Sequence, residues 1–179
     1  GTDSVLELPT LKEQSESSRT MAKLLVALSL LCGGANAMGI YGGEKNGCGE
    51  PCAGVETLNT EPFHIESGTC YVVDGTFPSD ALIVPDGVRC AKITVPSGSS
   101  LNEIAVDGDN TEVVNHGEVD AIPVRPSAAA TKITNTGTRG DGNPVNILVF
   151  SPTGADITVS DGGKARVFAF GGSVTFKCY

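Results

Sequence analysis

The stretch "KITVPSG" at Lys92–Gly98 has three near relatives downstream: "EVVNHG" at Glu112–Gly117, "KITNTG" at Lys132–Gly137 and "DITVSDG" at Asp156–Gly162. Superimposed on their first apolar residues, Ile93, Val113, Ile133 and Ile157, they recur at steps of 20, 20 and 24 residues. A second series accompanies them: "ALIVPDG" at Ala81–Gly87, "NEIAVDG" at Asn102–Gly108, "AIPVRPS" at Ala121–Ser127 and "NILVFSPTG" at Asn146–Gly154. Anchored on Ile83, Ile104, Ile122 and Ile147, its steps are 21, 18 and 25. Each unit of about 20 residues therefore holds two short β segments roughly ten apart, a period that marks solenoids.

The residues beside the anchors support one register. Those just before them read Lys92, Glu112, Lys132 and Asp156, so the charge alternates from unit to unit. In a parallel solenoid such residues stack about 4.8 Å apart, where like charges repel and opposite ones form a ladder. Those just after read Thr94, Val114, Thr134 and Thr158, all β-branched and suited to a strand face. Side chains alternate across a strand, so the anchors point inward and these two columns point out. Two residues after the anchors come Val95, Asn115, Asn135 and Val159. The two asparagines are expected to stack at the turn and satisfy backbone groups there. The pattern predicts an all-β chain, a right-handed parallel β-helix or solenoid with rungs of about 20 residues. An antiparallel β-sandwich, whose strands also come at 8–12-residue spacing, is the alternative.

At 179 residues the chain is expected to be one domain. With 21 acidic against 12 basic side chains its net charge is −9, which argues against a nucleic-acid partner. Residues 1–20 form a polar leader of no assigned role. "MAKLLVALSLLCGGANA" at Met21–Ala37 has a positive Lys23, an apolar run at Leu24–Cys32 and a small-residue site at Ala35-Asn36-Ala37. That is the pattern of a secretory signal peptide, with an apolar run too short to span a bilayer. Cleavage after Ala37 leaves a mature chain from Met38 to Tyr179 with five of the six cysteines: Cys48, Cys52, Cys70, Cys90 and Cys178. Secretion permits disulfides. An odd number leaves one thiol over, and the pairing stays open. Residues 38–80 are expected to form a disulfide-rich cap, residues 81–164 the rungs and residues 165–179 a closing hairpin.

Several short patterns carry possible chemistry. Cys48, Cys52, His64 and Cys70 have spacing near that of a zinc finger, though disulfides with an incidental histidine fit a secreted chain better. "DGDN" at Asp107–Asn110 has the carboxylate density of a calcium loop without its later glutamate. Arg139-Gly140-Asp141 is a tripeptide that can engage adhesion receptors when displayed on a turn. No nucleophile elbow, P-loop or H-E-x-x-H pattern occurs. His64 and His116 are the only histidines, and His116 falls in a repeat turn.

"SDALIVPDGVRCAKITV" at Ser79–Val95, followed by "VVNHGEVDAI" at Val113–Ile122, resembles the small secreted pectate lyases of the right-handed β-helix (pectin-lyase-like) superfamily. The resemblance implies calcium held by Glu118 and Asp120, with Arg125 or Lys132 as the base that removes a sugar-ring proton. The leading expectation is nevertheless a secreted, non-enzymatic β-solenoid without a cofactor. It binds or coats an extracellular surface, a cell-surface component or cell-wall polysaccharide, and has no transmembrane span. A calcium-dependent polysaccharide lyase is the alternative. Ice binding through the Thr94–Val114–Thr134–Thr158 column is a third reading.

Overall fold

The computed structural model describes residues 44–179, together with two short strands at Leu6–Glu7 and Leu28–Leu31. In chain order the strands are β1 (Leu6–Glu7), β2 (Leu28–Leu31), β3 (Val55–Leu58), β4 (Cys70–Val73), β5 (Thr76–Val84), β6 (Lys92–Val95) and β7 (Ser100–Val106). They continue as β8 (Glu112–Asn115), β9 (Glu118–Val124), β10 (Thr131–Asn135), β11 (Val145–Val149), β12 (Ala155–Val159), β13 (Lys164–Ala169) and β14 (Val174–Cys178). From β4 onward, even and odd members separate into two sheets. Sheet A runs β1-β14-β12-β10-β8-β6-β4-β3 and sheet B runs β2-β13-β11-β9-β7-β5. From β3 onward every neighbouring pair is parallel. The chain thus winds a parallel β-solenoid of about five turns, with rungs of roughly 20 residues. The signal-peptide pattern lies outside the described residues apart from the backbone at Leu28–Leu31, as does the polar leader apart from Leu6–Glu7.

Sheet A has the register read from the sequence. Lys92 pairs with Glu112, Glu112 with Lys132, and Lys132 with Asp156. The inward column is Tyr71, Ile93, Val113, Ile133, Ile157 and Phe176, all buried. One step further along, Asn115 and Asn135 are fully buried and linked, Asn115 Nδ2 donating to Asn135 Oδ1 at 2.7 Å. Asn115 Oδ1 accepts from the Gly117 N–H, and Asn135 Nδ2 donates to the carbonyls of Gly137 and Lys164. Together they satisfy backbone groups where the chain leaves sheet A, the role expected of them.

In sheet B the inward column is Leu82, Ile104, Ile122, Ile147 and Val167. Ile83, taken as an anchor from the sequence, instead faces outward and is 44% exposed. Because side chains alternate, a one-residue error in register moves a residue to the opposite face. The early part of this sheet also bends. β5 shifts register between Phe77 and Ala81, while Leu101 and Ile104, three residues apart, are both buried.

The segment at residues 165–179 does not form the expected hairpin. β13 continues sheet B on β11 and β14 continues sheet A on β12, making one more coil. The 20-residue beat persists there, with Phe176 replacing an aliphatic anchor. The solenoid also begins earlier than expected, since β3, β4 and β5 of the presumed cap already belong to the sheets. What precedes them is tied on by the Cys48–Cys90 and Cys52–Cys70 disulfides. Among the described residues no cysteine is free, Cys178 included; the odd thiol was expected of the five-cysteine chain left by cleavage, whereas this chain has six.

Each return from sheet B to sheet A uses one left-handed residue. Cys90 (φ 61°), Asn110 (φ 51°), Ala130 (φ 51°) and Gly154 (φ 80°) occupy the same place two residues before Lys92, Glu112, Lys132 and Asp156. Only Gly154 adopts this without steric cost, and its bare Cα also lies against the Ser173 carbonyl.

Candidate functional site

The outer face of sheet A is a lattice of three columns. The first is Lys92, Glu112, Lys132, Asp156 and Thr175; the second is Thr94, Val114, Thr134, Thr158 and Lys177. The third, set by the backbone bonds that extend the ladder, holds His116, Thr136, Ser160 and Tyr179. Neighbours within a column are about 4.8 Å apart, and columns are about 6.7 Å apart along the strands. Thr94, Val114, Thr134 and Thr158 are all half-buried, so the expected column does face outward. The third column was not foreseen, although "TNT" at Thr134–Thr136 and "TVS" at Thr158–Ser160 carry its signal. In it His116 Nδ1 lies 2.7 Å from Thr136 Oγ1.

The charged column is in register but does not ion-pair with itself. Lys92 Nζ approaches Glu44 at 3.6 Å, and no pair among Lys92, Glu112, Lys132 and Asp156 comes within 4.0 Å. The alternation acts through field rather than contact, as expected for side chains that remain partly hydrated.

Sheet B carries the residues implied by the lyase resemblance, apart from Lys132. Glu118 and Asp120 lie at the start of β9 in a shallow groove of about 120 Å³, with Ser100, Asn102 and Gly140. Arg125 follows the far end of β9, about 16 Å along the strand from Asp120, and contacts Asp107 at 3.2 Å and Glu103 at 3.9 Å. Lys132 sits on β10 in the opposite sheet. The groove therefore gathers the two carboxylates but neither proposed base. Asp120 is already paired, its Oδ1 lying 3.5 Å from Arg139 Nε. A guanidinium stands where the resemblance requires calcium, so these residues do not fit that ion.

The same ion pair constrains the adhesion-type turn. Arg139 is half-buried and reaches both Asp120 and Asp141, the latter at 3.7 Å. Asp141 in turn accepts from the Asn143 side chain (2.8 Å) and backbone N–H (2.9 Å). Those bonds, with Arg139 beside them, hold its carboxyl below the usual range. Arg139 is thus drawn back onto the scaffold, while Gly140 and Asp141 stay exposed. Gly140 is placed by the groove, since a Cβ there would come within 3.3 Å of Glu118 Oε2.

The remaining patterns resolve into structure. Cys52 and Cys70 lie near Glu44 but are bonded to each other, and His64 is exposed. In "DGDN", Asp107 binds Arg125 and Ser127, while Asp109 meets Arg89 at 3.8 Å and accepts from the Ala129 N–H. These carboxylates fasten successive coils together. Tyr71 closes the core at the first coil. Burial pushes its phenol up, against the Glu66 N–H that its oxygen accepts at 2.7 Å.

The described residues thus define a parallel β-solenoid with a regular polar face on one sheet and a shallow acidic groove on the other. No protein-family profile, curated protein or solved structure matches the chain. Among the described residues no helix is long and apolar enough to cross a membrane.

Proposed function

We propose that this is a secreted, non-enzymatic β-solenoid whose sheet A face binds an extracellular surface, with polysaccharide as the ligand class. The observation that carries the reading is the lattice itself: three outward columns repeating charged and hydroxyl groups at a fixed spacing, with one imidazole at His116. A repetitive ligand with many hydroxyls is matched by a repetitive donor and acceptor surface, and weak contacts sum along its length. The disulfides are compatible with an oxidising, extracellular setting. The lyase alternative draws less support, because Arg125 is engaged by Asp107 and Lys132 belongs to the other sheet. Ice binding draws on the same Thr94–Thr134–Thr158 column, which Val114 interrupts and charged residues flank.

The test is retention on insoluble cellulose, chitin and pectin. The protein should be retained on at least one of them, and Thr134→Glu with Thr158→Glu should weaken retention at least about tenfold. Ile83→Glu, on the other sheet, should leave retention unchanged. Failure to bind any of these glycans, or equal binding by the sheet A variant, would remove the proposal. Thermal hysteresis without glycan retention would assign the face to ice.

A further inference from the structure

The two ends of the solenoid are built differently. At the amino-terminal end the outermost strands are β3 and β5. Their core is plugged by the connection between β3 and β4, where Ile65 is buried and Phe63 packs edge-on against Phe77 at 5.2 Å. Glu56 occupies the register position that Tyr71 and Ile93 fill in the next coils. A strand added to β3 would therefore meet a carboxylate in the core line. β5 contains Pro78, which has no N–H to offer, and a register irregularity. Inward charge, proline and bulges are the devices that keep sheet edges from pairing.

The carboxyl-terminal end has none of these. β13 ("KARVFA") and β14 ("VTFKC") contain no proline, and their inward residues Ala165, Val167, Val174 and Phe176 are apolar. Their outer edges are bonded by β2 and β1, both antiparallel. Both of those covering strands precede the Ala35-Asn36-Ala37 cleavage pattern.

We propose that β13 and β14 form the self-association surface of the processed protein, which pairs end to end with a second copy as a closed two-fold dimer. This rests on the secretion reading, because processing after Ala37 removes the strands that cover these edges. A two-fold axis across the end of a solenoid reverses strand direction, so every edge pair formed across it is antiparallel. That is the orientation β13 and β14 accept from β2 and β1. Head-to-tail stacking would need parallel pairs and the defended amino-terminal end, so the assembly closes at two copies instead of growing into a filament. An antiparallel pair of β14 strands centred on Phe176 sets Lys177 opposite Thr175 of the second copy, away from its like charge.

The full chain should be expressed in secreting cells, and the secreted product characterised by N-terminal sequencing and by light scattering after size exclusion. The expected result is a protein starting at Met38 with the mass of two chains at high micromolar concentration. A monomer that starts at Met38 overturns the dimer and leaves secretion standing. A product still carrying residues 1–37 overturns both. Phe176→Glu places a carboxylate in the core line, as Glu56 does at the other end, and should weaken dimerisation at least about tenfold. Should that variant not fold, hydrogen exchange on the unaltered protein decides. Amides of β13 and β14 should slow as concentration rises, and concentration-independent exchange overturns the proposal.

Discussion

Sheet A and sheet B take one strand each from every coil, yet they obey different rules on their outer faces. Sheet A presents polar or β-branched residues outward at nearly every coil and buries apolar ones, apart from the two asparagines at its margin. Sheet B places apolar residues on both sides: Ile83, Ala105, Pro123, Leu148 and Phe168 form its outward column opposite Leu82, Ile104, Ile122, Ile147 and Val167. Phe150 and Phe170 continue that apolar character as stacked rings 4.7 Å apart. The disulfides are unevenly shared too. Cys70 lies in β4 and Cys90 two residues before β6, so both bonds fasten sheet A, and sheet B has none among the described residues. A two-sided apolar strand buries well but does not announce which face is which, whereas a strand polar on one side does.

The largest test of this asymmetry is covalent. Closing loops of 42 and 18 residues should be worth about 4 and 3 kcal/mol in the chain-entropy account. Cys48→Ser with Cys90→Ser should therefore lower the unfolding free energy by about 4 kcal/mol in denaturant titration. Hydrogen exchange should show the loss first in β4 and β6; if β9 and β11 loosen equally, sheet A is not separately fastened. Next in size is the facing of β5. Leu82→Ala should cost about 3 kcal/mol and Ile83→Ala less than about 1, from the difference between a buried and a half-exposed site. Equal costs, or the reverse order, would restore the register first read from the sequence. The smallest effect belongs to the charged column. Glu112→Lys sets three cations in a row and should cost about 1 kcal/mol at low salt, shrinking at high salt as screening shortens. Asp86→Lys, exposed and away from the column, is the control, and parity between the two would mean that the alternation contributes nothing.

Much of sheet A was legible because three independent columns gave the same alignment. Charge alternated at Lys92, Glu112, Lys132 and Asp156, β-branched residues followed the anchors, and Asn115 and Asn135 fell together. Sheet B was not, because Leu82, Ile83 and Val84 are all apolar and no parity separates them. Only the partner strand does, through the pairing of Leu82 with Ile104. The last coil was hidden by the change of anchor from Ile157 to Phe176, and by Val167 in β13. The groove was half legible. Glu118 and Asp120 lie two apart, an obvious pair, but the cation that neutralises Asp120 arrives from Arg139, a coil later. No local spacing rule reports that.

The alternating column also constrains how such a chain can be inherited. Each coil touches only its neighbours, so a gene could gain or lose coils without redesigning the rest. Loss of residues 112–131 would splice Thr111 to Lys132 and bring two lysines, Lys92 and Lys132, into adjacent rungs. Loss or duplication of two coils keeps the order of signs intact. The smallest step of lengthening that leaves the charge pattern undisturbed is therefore a pair of coils, about 40 residues from two 20-residue steps. Natural variants of this rod should accordingly differ in length by even numbers of turns.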